Sequence, residues 1–164
     1  MTISIRYLKV VLVAFIALLC LMYAAQNVAN LSVAYQFVAS ATSHAEHTAY
    51  PASFGPALDS PILVWAALAV IIVLEVAAGL LAAWGAWALW SARRATAEVF
   101  NAAKAGATLG AGVALVVWFG LFTTLGGAYF QMWQTPLGGA SLGGAFQYVT
   151  QIGIVILFVN LPDR

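Results

Sequence analysis

Four long apolar runs divide the chain, with polar stretches between them. A short start carrying Arg6 and Lys9 leads into Val10 to Ala25, which holds no charge. The second run, from Pro61 to Trp90, reads PILVWAALAVIIVLEVAAGLLAAWGAWALW and holds one charge, Glu75. The third extends from Ala105 to Phe130 and the fourth from Gly143 to Asn160. A helix rises about 1.5 Å per residue, so about 20 apolar residues cross a bilayer. The pattern predicts an all-α polytopic bundle of four transmembrane helices, spanning about 8–38, 62–90, 105–130 and 143–160, in one membrane domain over residues 1–164. The first helix is carried to residue 38 because no Pro or Gly interrupts it. A basic start before an apolar run also fits a signal peptide. Here the run exceeds the usual length and no clean small-residue cleavage site follows, so the helix is expected to be retained.

Composition narrows the class. Hydrophobic residues make up 64% of the chain and charged residues 7%, with mean hydropathy +0.98. Soluble domains carry about 25% charged residues, which excludes a soluble protein. Six Lys and Arg, scattered along the chain, do not form a nucleic-acid footprint. The single cysteine, Cys20, lies in an apolar run and reads as a small buried hydrophobe.

Charge also orients the bundle. Arg6, Lys9, Arg93, Arg94 and Lys104 fall at the chain start and in the connection after the second span. The connections at about 40–61 and 131–143 contain no Lys or Arg. The positive-inside rule then predicts both termini in the cytoplasm, those two loops in the periplasm, and residence in a bacterial inner membrane. Pro61 suits a first helical turn, with Asp59 and Ser60 as candidate caps. Trp84, Trp87 and Trp90 read as an aromatic belt.

The candidate chemistry is sparse. Glu75 sits near the middle of its span, where a carboxylate is costly unless neutralised or paired. The predicted orientation places Gln26, Asn27 and Asn30 of the first helix in the same outer half. It does the same for Thr123 and Thr124 of the third helix and Gln147 and Gln151 of the fourth. These residues are expected to form an intramembrane polar layer or a partner contact with Glu75, although the threonine hydroxyls can also bond their own backbone. At the outer interface the candidates are His44, His47, Gln131, Trp133 and Gln134. His44, Glu46 and His47 are metal-ligating residue types, but they lack the His-Glu-x-x-His spacing and read as a solvated loop or a headgroup or partner contact. No His, Asp or Lys shares a span with Glu75 to act as a base, so no catalytic set and no cofactor is expected.

The segment GGAYFQMWQTPLGGASLGGAF resembles a bacterial family of predicted small integral membrane proteins, a domain of unknown function with four helices. Gly126, Gly127, Tyr129, Phe130, Met132, Trp133 and Gln134 fit its Gly-Gly-acid-aromatic-Phe-x-Met-Trp-Gln pattern, while Ala128 stands where the family carries a glutamate. Asn27 and the Phe37-Val38 pair fit loosely, and Glu75 followed by Gly79 matches an acid in the second helix. The resemblance implies topology rather than an activity. The expected role is a non-catalytic accessory subunit of a larger bacterial membrane complex, respiratory or otherwise energy-transducing. Its partners would be larger integral membrane subunits and lipids, with any quinone or haem held by a partner. The alternative is a small transporter or ligand-binding protein that uses Glu75 and the amide layer.

Overall fold

The computed structural model describes residues 2–45 and 47–163, and among these every regular element is helical. Helix α1 (Thr2–Ala29) continues past Asn30 into α2 (Leu31–Thr42), and a loop leads to α3 (Pro61–Ala92). The chain returns through a short α4 (Ala97–Ala102), α5 (Ala105–Leu115) and α6 (Val116–Tyr129), which is wound as a π-helix. A 3-10 turn at Met132–Gln134 precedes α7 (Pro136–Asn160). Among the described residues, four stretches are long and apolar enough to cross a membrane: Ser4–Ala29, Pro61–Ala92, Ala97–Tyr129 and Pro136–Asn160.

Local chemistry sets the boundaries. The first helix is not straight to residue 38. Asn30 leaves helical geometry at φ −124° and ψ 40°, and its side-chain amide donates to the Gln26 carbonyl at 2.9 Å. An Asn that bonds the preceding turn competes with the helix and bends it. The backbone ladder nevertheless persists across the bend, with Ala34 N–H donating to Asn30 at 2.9 Å. Ser60 stands at the N-cap of α3 without a side-chain bond, and Pro61 opens the helix.

Helix α7 begins seven residues before the expected Gly143. Thr135 accepts from Gly138 N–H at 3.0 Å and Pro136 takes the first turn, so a capped start overrides the poor helix propensity of the glycines that follow. In α6, Thr123 and Thr124 each donate to the carbonyl five residues back, Trp118 and Phe119, at 3.0 Å. Phe130 N–H reaches Leu125 at 2.8 Å, again over five residues. Such winding is rare and clusters at functional sites.

The core of the bundle is a seam of small side chains. Ala78, Ala82 and Gly85 of α3 meet Gly106, Ala107 and Gly110 of α5, all buried. A Cβ on Gly85 would collide with the Ala107 backbone, and one on Gly110 with the Ala82 backbone. Close backbone approach is how helices gain van der Waals contact where lipid supplies no hydrophobic drive.

Polar clasps close both ends. At the end holding Thr2 and Asp163, Lys9 donates to the Asp163 carboxylate at 2.6 Å and Lys104 donates to the same oxygen at 2.7 Å. Both ammonium groups also reach the Leu161 carbonyl at 2.8 Å, and Arg6 donates to Ala95 at 2.7 Å. Burial alone would raise the Asp163 carboxyl. The hydrogen bonds from Lys104 and Lys9 outweigh that and hold it below its ordinary value. At the far end, Gln134 accepts from the N–H groups of Ala49 and Tyr50, both at 2.9 Å.

Candidate functional site

Helix α3 buries Glu75 to 2% exposure near its midpoint, on the face toward α1. Asn27, in the last turn of α1, donates its amide to Glu75 Oε2 at 2.9 Å. It is the one hydrogen-bond partner of the carboxylate among the described residues. Beside the pair lies a cavity of about 360 Å³, walled by Tyr23, Trp118, Phe122 and Tyr148. The Tyr23 and Tyr148 hydroxyls bond each other. Trp118, itself buried, sets an edge against both rings, with centroids at 5.9 and 5.4 Å. Ser141, Gly144 and Ala145 form the α7 wall, where small side chains leave the space open.

The expected polar layer is only partly assembled. Glu75 and Asn27 meet. Gln26 and Asn30 lie exposed on the bend and bond each other, the Asn30 amide reaching the Gln26 carbonyl at 2.9 Å and its side-chain oxygen at 3.5 Å. They line an adjoining cavity of about 290 Å³ instead of reaching the acid. Thr123 and Thr124 spend their hydroxyls on the π-wound backbone. Gln147 and Gln151 lie on the exposed side of α7. The reason is rotation: Ala145, Ile152 and Val159 are each within 1% of full burial. Their seven-residue spacing is the inward seam, which turns positions 147 and 151 away.

Tyr23, Trp118 and Tyr148 were not singled out by the sequence pattern. Tyr23 precedes Asn27 by four residues and so shares its face, a signal that was available. Tyr148 is three residues beyond Ala145 on the inward side of α7, which only the rotation of that helix reveals.

The outer candidates tie the loops together. Gln131, left-handed at φ 51°, accepts from Gln134 at 2.7 Å, and Trp133 sets its edge on Tyr50 at 5.4 Å. The His44 ring packs on His47 at 5.0 Å and Phe130 at 5.7 Å. Burial, and then the neighbouring His44, pushes the His47 imidazole below its ordinary value. Glu46, the third member of the ligand-type trio, lies outside the described residues. Among the described residues no cluster of three metal-ligating side chains is present.

The arrangement offers one carboxylate with a spare acceptor oxygen, an amide, a phenol pair and an indole wall, all at membrane depth. It can accept a hydrogen bond from a guest and pack aromatic faces around it. Comparison with protein families finds a match over residues 5–162 to the one described as predicted small integral membrane protein (DUF2165). No curated protein and no solved structure matches the chain.

Proposed function

The chain belongs to the DUF2165 family of predicted small integral membrane proteins, and from that premise we propose that it is a non-catalytic binding protein holding a lipid-soluble small molecule at Glu75. The observation that carries this reading is the Asn27–Glu75 pair on the wall of the 360 Å³ cavity. Asn27 occupies one carboxylate oxygen and leaves the other for a guest. An ionisable group inside a span is expensive, and such groups mark ligand or ion pathways. Ligand pockets in general are apolar, with a few convergent polar groups, and the aromatic walls here supply that setting.

The test is a solvent extract of purified protein, analysed by mass spectrometry. Wild type should carry a small molecule above the level of the surrounding lipid and detergent. Glu75→Leu, purified at equal abundance, should not. Equal extracts from both proteins would end the reading. We also propose that the protein resides in a bacterial inner membrane with the basic end cytoplasmic, since Arg6, Lys9, Arg93, Arg94 and Lys104 gather at one end.

A second reading, a subunit of a larger membrane complex, is favoured by Gln147 and Gln151. These amides are exposed near the middle of α7, and a polar group facing hydrocarbon costs free energy unless a neighbour bonds it. A larger subunit docked on that face would do so, and any quinone or haem would then belong to the partner.

A further inference from the structure

A second chamber lies next to the Glu75 cavity and differs from it in character. It measures about 340 Å³ and sits between α2, α3 and α6. Its walls include Val38, Ala41, Ala67, Leu121 and Met132, and its one side-chain hydroxyl, on Thr42, already donates to the Val38 carbonyl at 2.8 Å. Nothing there can hold a polar guest. Two residues line this chamber, the Glu75 cavity and the 290 Å³ cavity alike: Phe37 and Phe122. Their rings lie stacked, 19° from parallel with centroids 6.3 Å apart, and both are only half-buried. The stacked pair is a common wall with polar acceptors on one side and pure hydrocarbon on the other.

We infer that the ligand is a single-tailed amphiphile, with a hydrogen-bond-donating head at Glu75 and Asn27 and a linear apolar tail past Phe37 and Phe122 in the chamber between α2, α3 and α6. The head is assigned as a donor, since the unshared oxygen of Glu75 can accept a hydrogen bond. The tail is assigned as a single linear chain, since the passage between the two cavities runs along the stacked Phe37 and Phe122 rings. The bend at Asn30 contributes directly, since it carries α2 away from the axis of α1 and sets Phe37 opposite α6. The π winding of α6 contributes as well, because it sets the angular position of Phe122 relative to Trp118. This inference rests on the binding role proposed for Glu75 and adds the class of ligand.

The experiment is native mass spectrometry of the full chain in detergent, with four probes: tetradecanol, its methyl ether, hexanol and hexyl methyl ether. Wild type should retain each alcohol over its ether, and tetradecanol most strongly. Filling the chamber with Ala67→Phe, or at its exposed rim with Val70→Trp, should cut tetradecanol retention at least about fivefold, the effect of losing the tail's packing contacts with the chamber wall. Hexanol retention should stay within about twofold in either variant, a loss of no more than a few carbon–carbon contacts, which also reports that the variants are folded. If Glu75→Leu retains tetradecanol as wild type does, the binding role itself falls; if Glu75→Leu loses it but wild type holds alcohols and ethers equally, the binding role stands and the donating head is overturned. If alcohols are preferred but both filled variants keep tetradecanol at the wild-type level, the binding role stands and the tail assignment is overturned.

Discussion

Asn27 donates to Glu75 at 2.9 Å across 48 residues of sequence, joining the last turn of α1 to the middle of α3. Removing the amide leaves the buried acid without a protein donor, and an unsatisfied buried polar group costs about 1–3 kcal/mol. Asn27→Leu should lower unfolding stability in detergent by that amount. Asn27→Leu combined with Glu75→Leu should cost less than the sum of the single changes, since the second removes the group the first orphaned. Thermal unfolding of all four proteins checks this, and strict additivity would deny the coupling.

Asp163 makes stability depend on acid. Its folded carboxyl titrates below its ordinary value because Lys104 and Lys9 outweigh the effect of burial. Protonation therefore favours the unfolded chain. The contribution is fully present above the ordinary carboxylate value of about 3.9 and is lost as pH falls through the lower folded value. Asp163→Asn should flatten that acid limb and cost about 3–5 kcal/mol at neutral pH, the effect of breaking a buried ion pair. Stability measured against pH for both proteins is decisive, and matching acid limbs would contradict the assignment.

The small-residue seam predicts a contrast between two glycines of similar composition. Gly85→Ala drives a methyl into the Ala107 backbone and should destabilise by about 1–3 kcal/mol, as overpacking does. At Gly112 an added Cβ meets nothing within 4 Å, so Gly112→Ala should be neutral or slightly stabilising through helix propensity. Unfolding midpoints of the two variants should differ in sign or at least clearly in size.

Orientation can be read with single cysteines in a Cys20→Ala background, since Cys20 is buried. Phe54→Cys lies in the loop before α3, at a position 82% exposed. An impermeant maleimide should label it on intact cells. Glu98→Cys, exposed on α4 at the basic end, should react only after permeabilisation. The reverse order would invert the topology.

If a neighbouring subunit covers α7, Gln147→Leu and Gln151→Leu should strip that neighbour during purification while leaving the isolated chain as stable as before or more so. Quantitative co-purification against wild type measures the effect. Unchanged co-purifying proteins would remove α7 as the contact.

Most of the helix layout was legible because apolar runs of about 20 residues have one stable form in lipid. The Glu75–Asn27 bond was half legible. Depth placed both residues in one layer, but depth alone says nothing about helix rotation, and Gln147 and Gln151 share that depth while pointing elsewhere. The start of α7 was readable in Thr135-Pro136, a cap followed by a first-turn proline, and was obscured by the glycines after it. The π winding of α6 had no sequence signature, since hydropathy does not distinguish hydrogen bonds over five residues from those over four. The Tyr23–Tyr148 bond depends on the register of two helices far apart in sequence, which no local pattern encodes.

The Lys9–Asp163 bond carries a consequence for biogenesis. A ribosome releases Lys9 into the membrane 154 residues before it supplies Asp163. Through that interval Lys9 lacks the carboxylate it meets in the finished fold, and Lys104, which also donates to the Asn101 side chain at 2.6 Å, waits for the same acid. The carboxylate that both share follows α7 in the sequence. One acid thus joins three segments of the chain that are made far apart in time.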